Sequence, residues 1–294
     1  MEHRAGFVNI LGRPNVGKST LLNAMMGEKM VIVTSKPQTT RHRILGIINE
    51  EAYQIVFSDT PGIIHDPAYS MQKSLNRFAF SSLEDADILL FMTDPYDPLD
   101  NDFFEQINNI NSLDCVKFLI LNKMDQCDEE RANEIIEWWK SRLNFDSEFR
   151  ISALKKEGTE ELMDEVIQKL PVHPPFYPKD QLSDRPERFF VSEIIREEIL
   201  LQYKKEVPYA CEVEILSFKE DEKITRISAI IHVARNSQKP ILIGRKGSAI
   251  KQLGIESRKK IEAFLDTKIY LELSVKVKKN WRNDERMLKY FGYQ

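Results

Sequence analysis

Through residue 170 the chain alternates short apolar runs with amphipathic stretches. Residues 5–11, 86–93 and 116–121 are apolar almost throughout, the pattern of strands covered on both faces. Residues 44–49 and 53–59 read as a strand pair around a turn at Glu50 and Glu51. Residues 19–26, 129–143 and 158–170 read as helices, with 149–152 a last short strand between the final two. That alternation predicts an α/β domain, with a mostly parallel sheet flanked by helices and ligand sites at the carboxyl ends of the strands.

The pattern breaks at residues 171–178, where four of eight positions are proline. Proline cannot continue a helix, so an extended, semi-rigid linker is expected. The order of elements then changes. A helix over 187–204 precedes strands at 209–218 and 224–234, helical segments flank residues 244–247, and a final strand covers 269–277. The expected division is a first domain over 1–172, a linker over 173–186 and a smaller α+β domain over 187–294.

Charge sharpens that division. Residues 1–185 hold 20 Lys and Arg against 30 Asp and Glu, a net of −10, and the remainder hold 22 against 16, a net of +6. An acidic half joined to a basic half suits a polyanion-binding module on a carrier with another task, although chance surface composition gives the same count. No apolar run approaches the roughly eighteen residues of a membrane span, and the first residues lack a secretory signal. Cys115, Cys127 and Cys211 lie far apart without metal-ligand spacing, as expected of thiols in a reduced cytoplasm.

Gly12, Arg13, Pro14, Asn15, Val16, Gly17, Lys18 and Ser19 fit G-x-x-x-x-G-K-[ST], after an expected strand and before an expected helix that Thr20 continues. Glycines there let backbone N–H groups curl around phosphate oxygens at the positive helix end. Lys18 bridges the outer phosphates as a point charge, and the Ser19 hydroxyl joins a Mg2+ shell. Asp59, Thr60, Pro61 and Gly62 close the third strand, where Asp59 holds Mg2+ through water and Gly62 offers an N–H to a γ-phosphate. Asn122, Lys123, Met124 and Asp125 follow the run at 116–121. The Asp125 carboxylate can accept from the N1–H and exocyclic amine of guanine, a donor pair that adenine lacks. Ser152 and Ala153 end the last strand and supply a backbone N–H for the guanine oxygen. Together these motifs specify GTP over ATP.

Residues 37–41 fill the gap between the first helix and second strand, a place from which Thr40 can reach Mg2+ when a γ-phosphate is present; Thr39 is the alternative. Lys18, Thr40 and Gly62 are thus the residues expected to act on the γ-phosphate. Ile63 stands where Ras-type enzymes carry a water-orienting glutamine, so slow intrinsic turnover is expected. Asn15 is either a ligand for a monovalent cation such as K+ or a side chain that stabilises the turn.

In the basic half, Gly244, Arg245, Lys246 and Gly247 fit the G-x-x-G loop with which KH domains clamp a nucleic-acid backbone. The surrounding order of helix, strand, strand, helix, loop, helix, strand is that of a type II KH domain. Lys239, Lys251 and Arg258 extend a basic face, although a solvated helix face explains Arg258 equally well; Ile241, Ile243 and Ile250 line either a groove for bases or the small core, with Leu253 assigned to the core. Lys278, Lys279 and Trp281 form a basic tail whose ring either stacks on single-stranded RNA or pins the tail to its domain. The five histidines form no ligand spacing or triad, and Trp138 and Trp139 suit packing.

Gly12 to Thr20, Gln38 to Arg43 and Asp59 to Gly62 together resemble the Era-like GTPases. Ser192 to Glu197, Val207 to Tyr209, Ile243 to Gly247, Leu271 to Leu273 and Trp281 to Arg286 narrow the resemblance to members with one P-loop GTPase domain and a C-terminal KH domain. The resemblance implies a monomeric bacterial factor for assembly of the small (30S) ribosomal subunit that binds the 3′ end of 16S ribosomal RNA. It further implies a hydrophobic residue as normal at Ile63, and peripheral association of a cytoplasmic protein with the inner face of the cell membrane.

Overall fold

β1 (Arg4–Gly12), β2 (Ile44–Asn49), β3 (Tyr53–Asp59), β4 (Ile88–Thr93), β5 (Val116–Leu121) and β6 (Ser147–Arg150) form one sheet in the order β2-β3-β1-β4-β5-β6. The computed structural model describes residues 2–221 and 223–293; Met1 and Gln294, the outer limits of the domains read from the sequence, lie outside them. Only β2 runs antiparallel to its neighbour. All six residues of β4 are buried, as the unbroken apolar run requires of a central parallel strand. Because β1, β3, β4 and β5 run parallel, Gly12, Asp59, Thr93 and Leu121 finish at one edge of the sheet, where the loops that follow them gather.

The helices of this unit are α1 (Lys18–Met26), α2 (Ser70–Ser81), α3 (Asn101–Ile107), α4 (Glu129–Lys140) and α5 (Thr159–Lys169). Two of them, α2 and α3, fall where the sequence pattern gives no helix. In α2 the buried apolar positions are only Met71, Leu75 and Ala79, and the polar Ser74 is buried among them. In α3 the Asp100 carboxylate caps the first turn by accepting from the Phe103 N–H at 2.7 Å. β6 also lies two residues earlier than read from the sequence; Ile151, just beyond it, donates to the Leu121 carbonyl at 2.9 Å and accepts from the Met124 N–H at 3.1 Å before the bend that carries Ser152 and Ala153.

The chain divides into two units. The first comprises residues up to Val31, Thr40–Ala68 and Gln72–Asp184; the second comprises Ile32–Thr39, Tyr69–Met71 and the chain from Arg185. The proline-rich stretch belongs to the first and is extended along it rather than free. Ile47 donates to the Leu182 carbonyl at 2.9 Å, Leu45 to Asp184 Oδ1 at 3.0 Å, and Gln54 Nε2 to the Tyr177 carbonyl at 2.8 Å.

In the second unit α6 (Glu187–Gln202) precedes β7 (Cys211–Lys219) and β8 (Thr225–Val233). Next come α7 (Gln238–Ile243), α8 (Ser248–Leu265), β9 (Ile269–Val277) and a short α9 (Glu285–Tyr290). The strands pair in the order β7-β8-β9, antiparallel then parallel. Val191, Ile195 and Ile199 of α6 and Leu253 and Ile261 of α8 pack with Ile227, Ala229 and Ile231 of β8 into one core. That is the element order expected of a type II KH domain. α9 has no sequence-level counterpart; its signal is the Asp284 cap, which accepts from Arg286 and Met287.

Candidate nucleotide site and nucleic-acid interface

The loop after β1 turns sharply, and Lys18 folds back over it, donating to the carbonyls of Gly12 at 3.1 Å and Arg13 at 2.9 Å. Lys18 is 5% exposed. Burial pushes its ammonium down to about 8, partly opposed by the Asp59 carboxylate. A buried ammonium whose hydrogen bonds, among the described residues, go to carbonyl oxygens is poised for a stronger anion such as a phosphate. Gly62 lies against the loop so closely that a Cβ there would meet the Pro14 nitrogen at 2.5 Å, which bars any other residue.

Three oxygens converge beside Lys18. Ser19 Oγ donates to Asp59 Oδ2 at 2.7 Å and lies 2.8 Å from Thr40 Oγ1, which itself donates to Asp59 Oδ2 at 3.2 Å. Asp59 is fully buried, and burial raises its carboxyl above the usual range against hydrogen bonds from Ser19 and the charge of Lys18. Its Oδ1 has no hydrogen-bond partner among the described residues. Two hydroxyls and a carboxylate with an orphaned buried oxygen are the hard donors that Mg2+ takes, so the residues present fit the ion. The geometry also decides between the neighbouring threonines. Thr40 faces this cluster, whereas Thr39 Oγ1 is occupied by the Lys36 carbonyl at 2.7 Å and by Thr34.

The base side is assembled from three loops. Asn122 Nδ2 donates to the Val16 carbonyl at 2.8 Å and its Oδ1 accepts from the Ala153 N–H at 2.9 Å, tying the phosphate loop to the bend after β6. Ser152 Oγ donates to Asp125 Oδ1 at 2.7 Å, and this hydrogen bond is the main cause that holds the Asp125 carboxyl below its ordinary range. Asp125 therefore presents an ionised, oriented acceptor. The Ser152 N–H goes to the Glu157 carbonyl and the Ala153 N–H to Asn122, and the Ser152 hydroxyl of the bend aims Asp125.

Other expected nucleotide contacts turn inward. The Ile63 side chain is 1% exposed and packs into the core with Phe91 and Phe103 instead of facing the phosphates. Thr60 is buried with its hydroxyl on the Ile10 carbonyl at 2.9 Å. Arg13 leaves the loop sideways, stacked 3.9 Å over the Phe103 ring and paired with Asp100, with Asp97 3.7 Å away. Motif membership fixes a backbone position; it does not fix which way a side chain leaves. Asp97, absent from the sequence reading, is the hub here. It accepts from Thr93 Oγ1 at 2.5 Å and from Trp139 Nε1 at 3.0 Å while buried. Its only sequence signal is the spacing of Asp94, Asp97 and Asp100 after β4. Asn15 is exposed, at φ 66°, in the left-handed region that asparagine tolerates.

In the second unit the loop between α7 and α8 exposes Arg245 and Lys246. Gly244 sits at φ 73°, where a Cβ would fall 2.6 Å from that of Ala249, so glycine is required for the turn into α8. Lys239 and Lys251 are exposed on the two flanking helices, as is Arg258 two turns beyond Lys251 and within 3.9 Å of Glu262. Ile243 and Ile250 are half-buried and Ile241 exposed, an apolar strip beside the basic loop, while Leu253 is fully buried in the core. Lys278 and Lys279 are exposed after β9. Trp281 is the correction. It is fully buried, with Nε1 donating to the Ala210 carbonyl at 3.0 Å and its ring against Phe291 and Tyr293. No face is left for a base, so it pins the tail to its domain.

Comparisons with known proteins find two families along the chain. The family described as 50S ribosome-binding GTPase matches residues 7–123, and the KH domain family matches residues 206–282. The chain is 44% identical, over 99% of its length and 95% of the relative's, to a protein named GTPase Era from Syntrophus aciditrophicus. Among solved structures, Aquifex aeolicus Era bound to GDP.AlF4- is similar with a TM-score of 0.92 and 36% identity, covering 99% of both chains. A structure of Era in complex with MgGDPNP and nucleotides 1506–1542 of 16S ribosomal RNA is similar with the same TM-score, identity and coverage. Among the described residues no helix is long and apolar enough to cross a membrane.

Proposed function

Because this chain belongs to the Era family of GTPases, we propose that it is a GTP-driven switch that binds the 3′ end of 16S ribosomal RNA and acts in assembly and rRNA maturation of the 30S subunit. The observation that carries this reading is the pairing in one chain of an oriented guanine acceptor, Asp125 held by Ser152, with an exposed G-x-x-G clamp at Gly244 to Gly247.

In the reaction, Asp125 accepts from guanine while Asn122 keeps the base loops and phosphate loop in register. Backbone N–H groups of the loop hold the β-phosphate, and Lys18 leaves its two carbonyl partners to bridge the β- and γ-phosphates. Ser19 and Thr40 would hold Mg2+ directly and Asp59 through water, and the ion would supply positive charge against the negative charge developing as the γ-phosphoryl departs. Gly62 offers its N–H to the γ-phosphate. With Ile63 turned into the core, the attacking water is oriented by backbone or by a partner, which makes intrinsic turnover slow. Loss of the γ-phosphate removes the reason for Thr40 to stay, and the segment over residues 37–41 is released. Exposed Asn15 is suited to a K+ ion that offsets negative charge at the phosphates. Family resemblance supports a cytoplasmic monomer with peripheral membrane contact.

Crosslinking the protein to cellular RNA and sequencing the fragments tests the partner. Reads concentrated at the 16S 3′ end are expected. Reads concentrated on tRNA would replace the ribosomal reading with a role in tRNA processing or translation.

A further inference from the structure

Residues 32–39, which end one position before Thr40, belong with the second unit. α6 holds them at four points. Arg196 Nη2 donates to the Thr39 carbonyl and Nη1 to the Gln38 carbonyl at 3.4 Å. The Val33 N–H donates to Glu197 Oε1 at 3.3 Å, and Lys36 Nζ caps the carboxyl end of the helix by donating to the carbonyls of Leu200 and Tyr203. Arg196 is 1% exposed, and its Nε donates to Glu193 Oε1 at 2.8 Å. This is a built interior grip, unlike a solvent-facing ion pair of little energetic weight. The same Glu197 also ties α6 to the helix behind the RNA clamp. Lys260 of α8, the helix that leaves the G-x-x-G loop, reaches Glu197 at 2.7 Å and Glu198 at 2.6 Å.

The Thr39 carbonyl and the Thr40 N–H are two ends of one planar peptide. Fixing that carbonyl therefore fixes the plane from which Thr40 projects, and in this arrangement the Thr40 hydroxyl meets Ser19 and Asp59. We infer that Arg196 is a positioning residue of the nucleotide switch. It holds the Thr39–Thr40 peptide in the γ-phosphate-sensing arrangement, and α6 is the element through which γ-phosphate and RNA strengthen each other's binding. The inference rests on Thr40 being the γ-phosphate sensor of the proposed function. By linkage, a grip that favours the GTP form with RNA bound must favour RNA with GTP bound, by the same factor.

The test uses the full chain with Arg196→Gln, Arg196→Lys and Lys36→Ala, each checked by thermal melting. Affinities for GDP and for a non-hydrolysable GTP analogue are measured with Mg2+ and without RNA, then RNA affinity in each loaded state. Arg196→Gln should lower analogue affinity roughly tenfold while GDP affinity changes less than about twofold, within the usual range of coupling between sites. Arg196→Lys should restore part of that loss. Lys36→Ala, which removes an α6 contact without disturbing the Arg196–Glu193 pair, should lower analogue affinity several-fold and decides the matter if Arg196→Gln does not fold. The gain in RNA affinity from analogue over GDP should shrink by matching factors. Folded Arg196→Gln and Lys36→Ala with an unchanged analogue-to-GDP ratio overturn the inference; Lys36→Ala alone suffices for that if Arg196→Gln does not fold. A wild-type chain that hydrolyses no GTP at all instead defeats the underlying switch reading, before any variant is made.

Discussion

Lys18, Asp59 and Asn122 are each at most 5% exposed, whereas Arg245 and Lys246 stand in solvent on a two-glycine loop. At the first site each polar group is already committed to another: Lys18 to two carbonyls, Asp59 to two hydroxyls, Asn122 to two loops. A ligand there exchanges partners in a largely pre-formed, poorly hydrated setting, so a single wrong atom is costly. At the second site charges keep their water until a phosphate arrives, and their contributions are additive and screened by salt. One region buys specificity with burial; the other trades specificity for reach along a flexible strand.

The sharpest way to break this contrast is at Asp125. Asp125→Asn replaces an acceptor by a donor opposite guanine, and affinity for GTP should fall by about 10^4-fold while xanthosine triphosphate regains much of it. Equal losses for both nucleotides in competition assays would mean that Asp125 does not read the base. Trp281→Ala probes the second region from inside. Emptying a fully buried indole should destabilise that unit by about 3–5 kcal/mol in denaturant unfolding, with little change in the salt slope of RNA binding for the protein that remains folded. A large slope change at full stability would return the ring to the RNA surface.

The reason these two residues were unequally legible is physical. Asp125 is constrained by guanine itself, so its identity and spacing carry the meaning. Around Trp281 the lysines and arginines look the same whether the ring points outward or in, and only Phe291 and Tyr293, brought back by α9, settle the direction. The alternating strands were readable because strands buried on both faces are filled mostly by apolar residues. α2 and α3 were not, since their few apolar positions are spread among amides and serines. The roles of Arg196 and Asp97 were invisible for a third reason: each acts through partners more than thirty positions away in the chain, such as Thr39 and Trp139.

Lys18 and the basic loop give smaller effects. Because burial places Lys18 at about 8 in the free protein, the unfolded chain binds more protons than the folded one from about pH 8 up to the ordinary lysine range. Stability from this group accordingly rises with pH through that window. Triphosphate restores the charge on Lys18, so binding takes up a proton there. Affinity for GTP should fall as pH rises above about 8, approaching tenfold per unit. Calorimetry in buffers of different ionisation enthalpy checks the proton uptake, which Lys18→Ala should abolish. Arg245→Ala combined with Lys246→Ala should reduce the slope of log affinity for single-stranded RNA against log salt by about 1.4, as expected for two lost phosphate contacts. An unchanged slope would move the clamp elsewhere.

The joining of the two regions is tested most directly by RNA affinity of the wild-type chain in its two loaded states. An oligonucleotide of the 16S 3′ end is titrated at one salt concentration against protein loaded with Mg2+ and GDP, or with Mg2+ and a non-hydrolysable GTP analogue. Binding about tenfold tighter with the analogue is expected. Equal affinities in the two states would contradict a nucleotide switch that governs RNA.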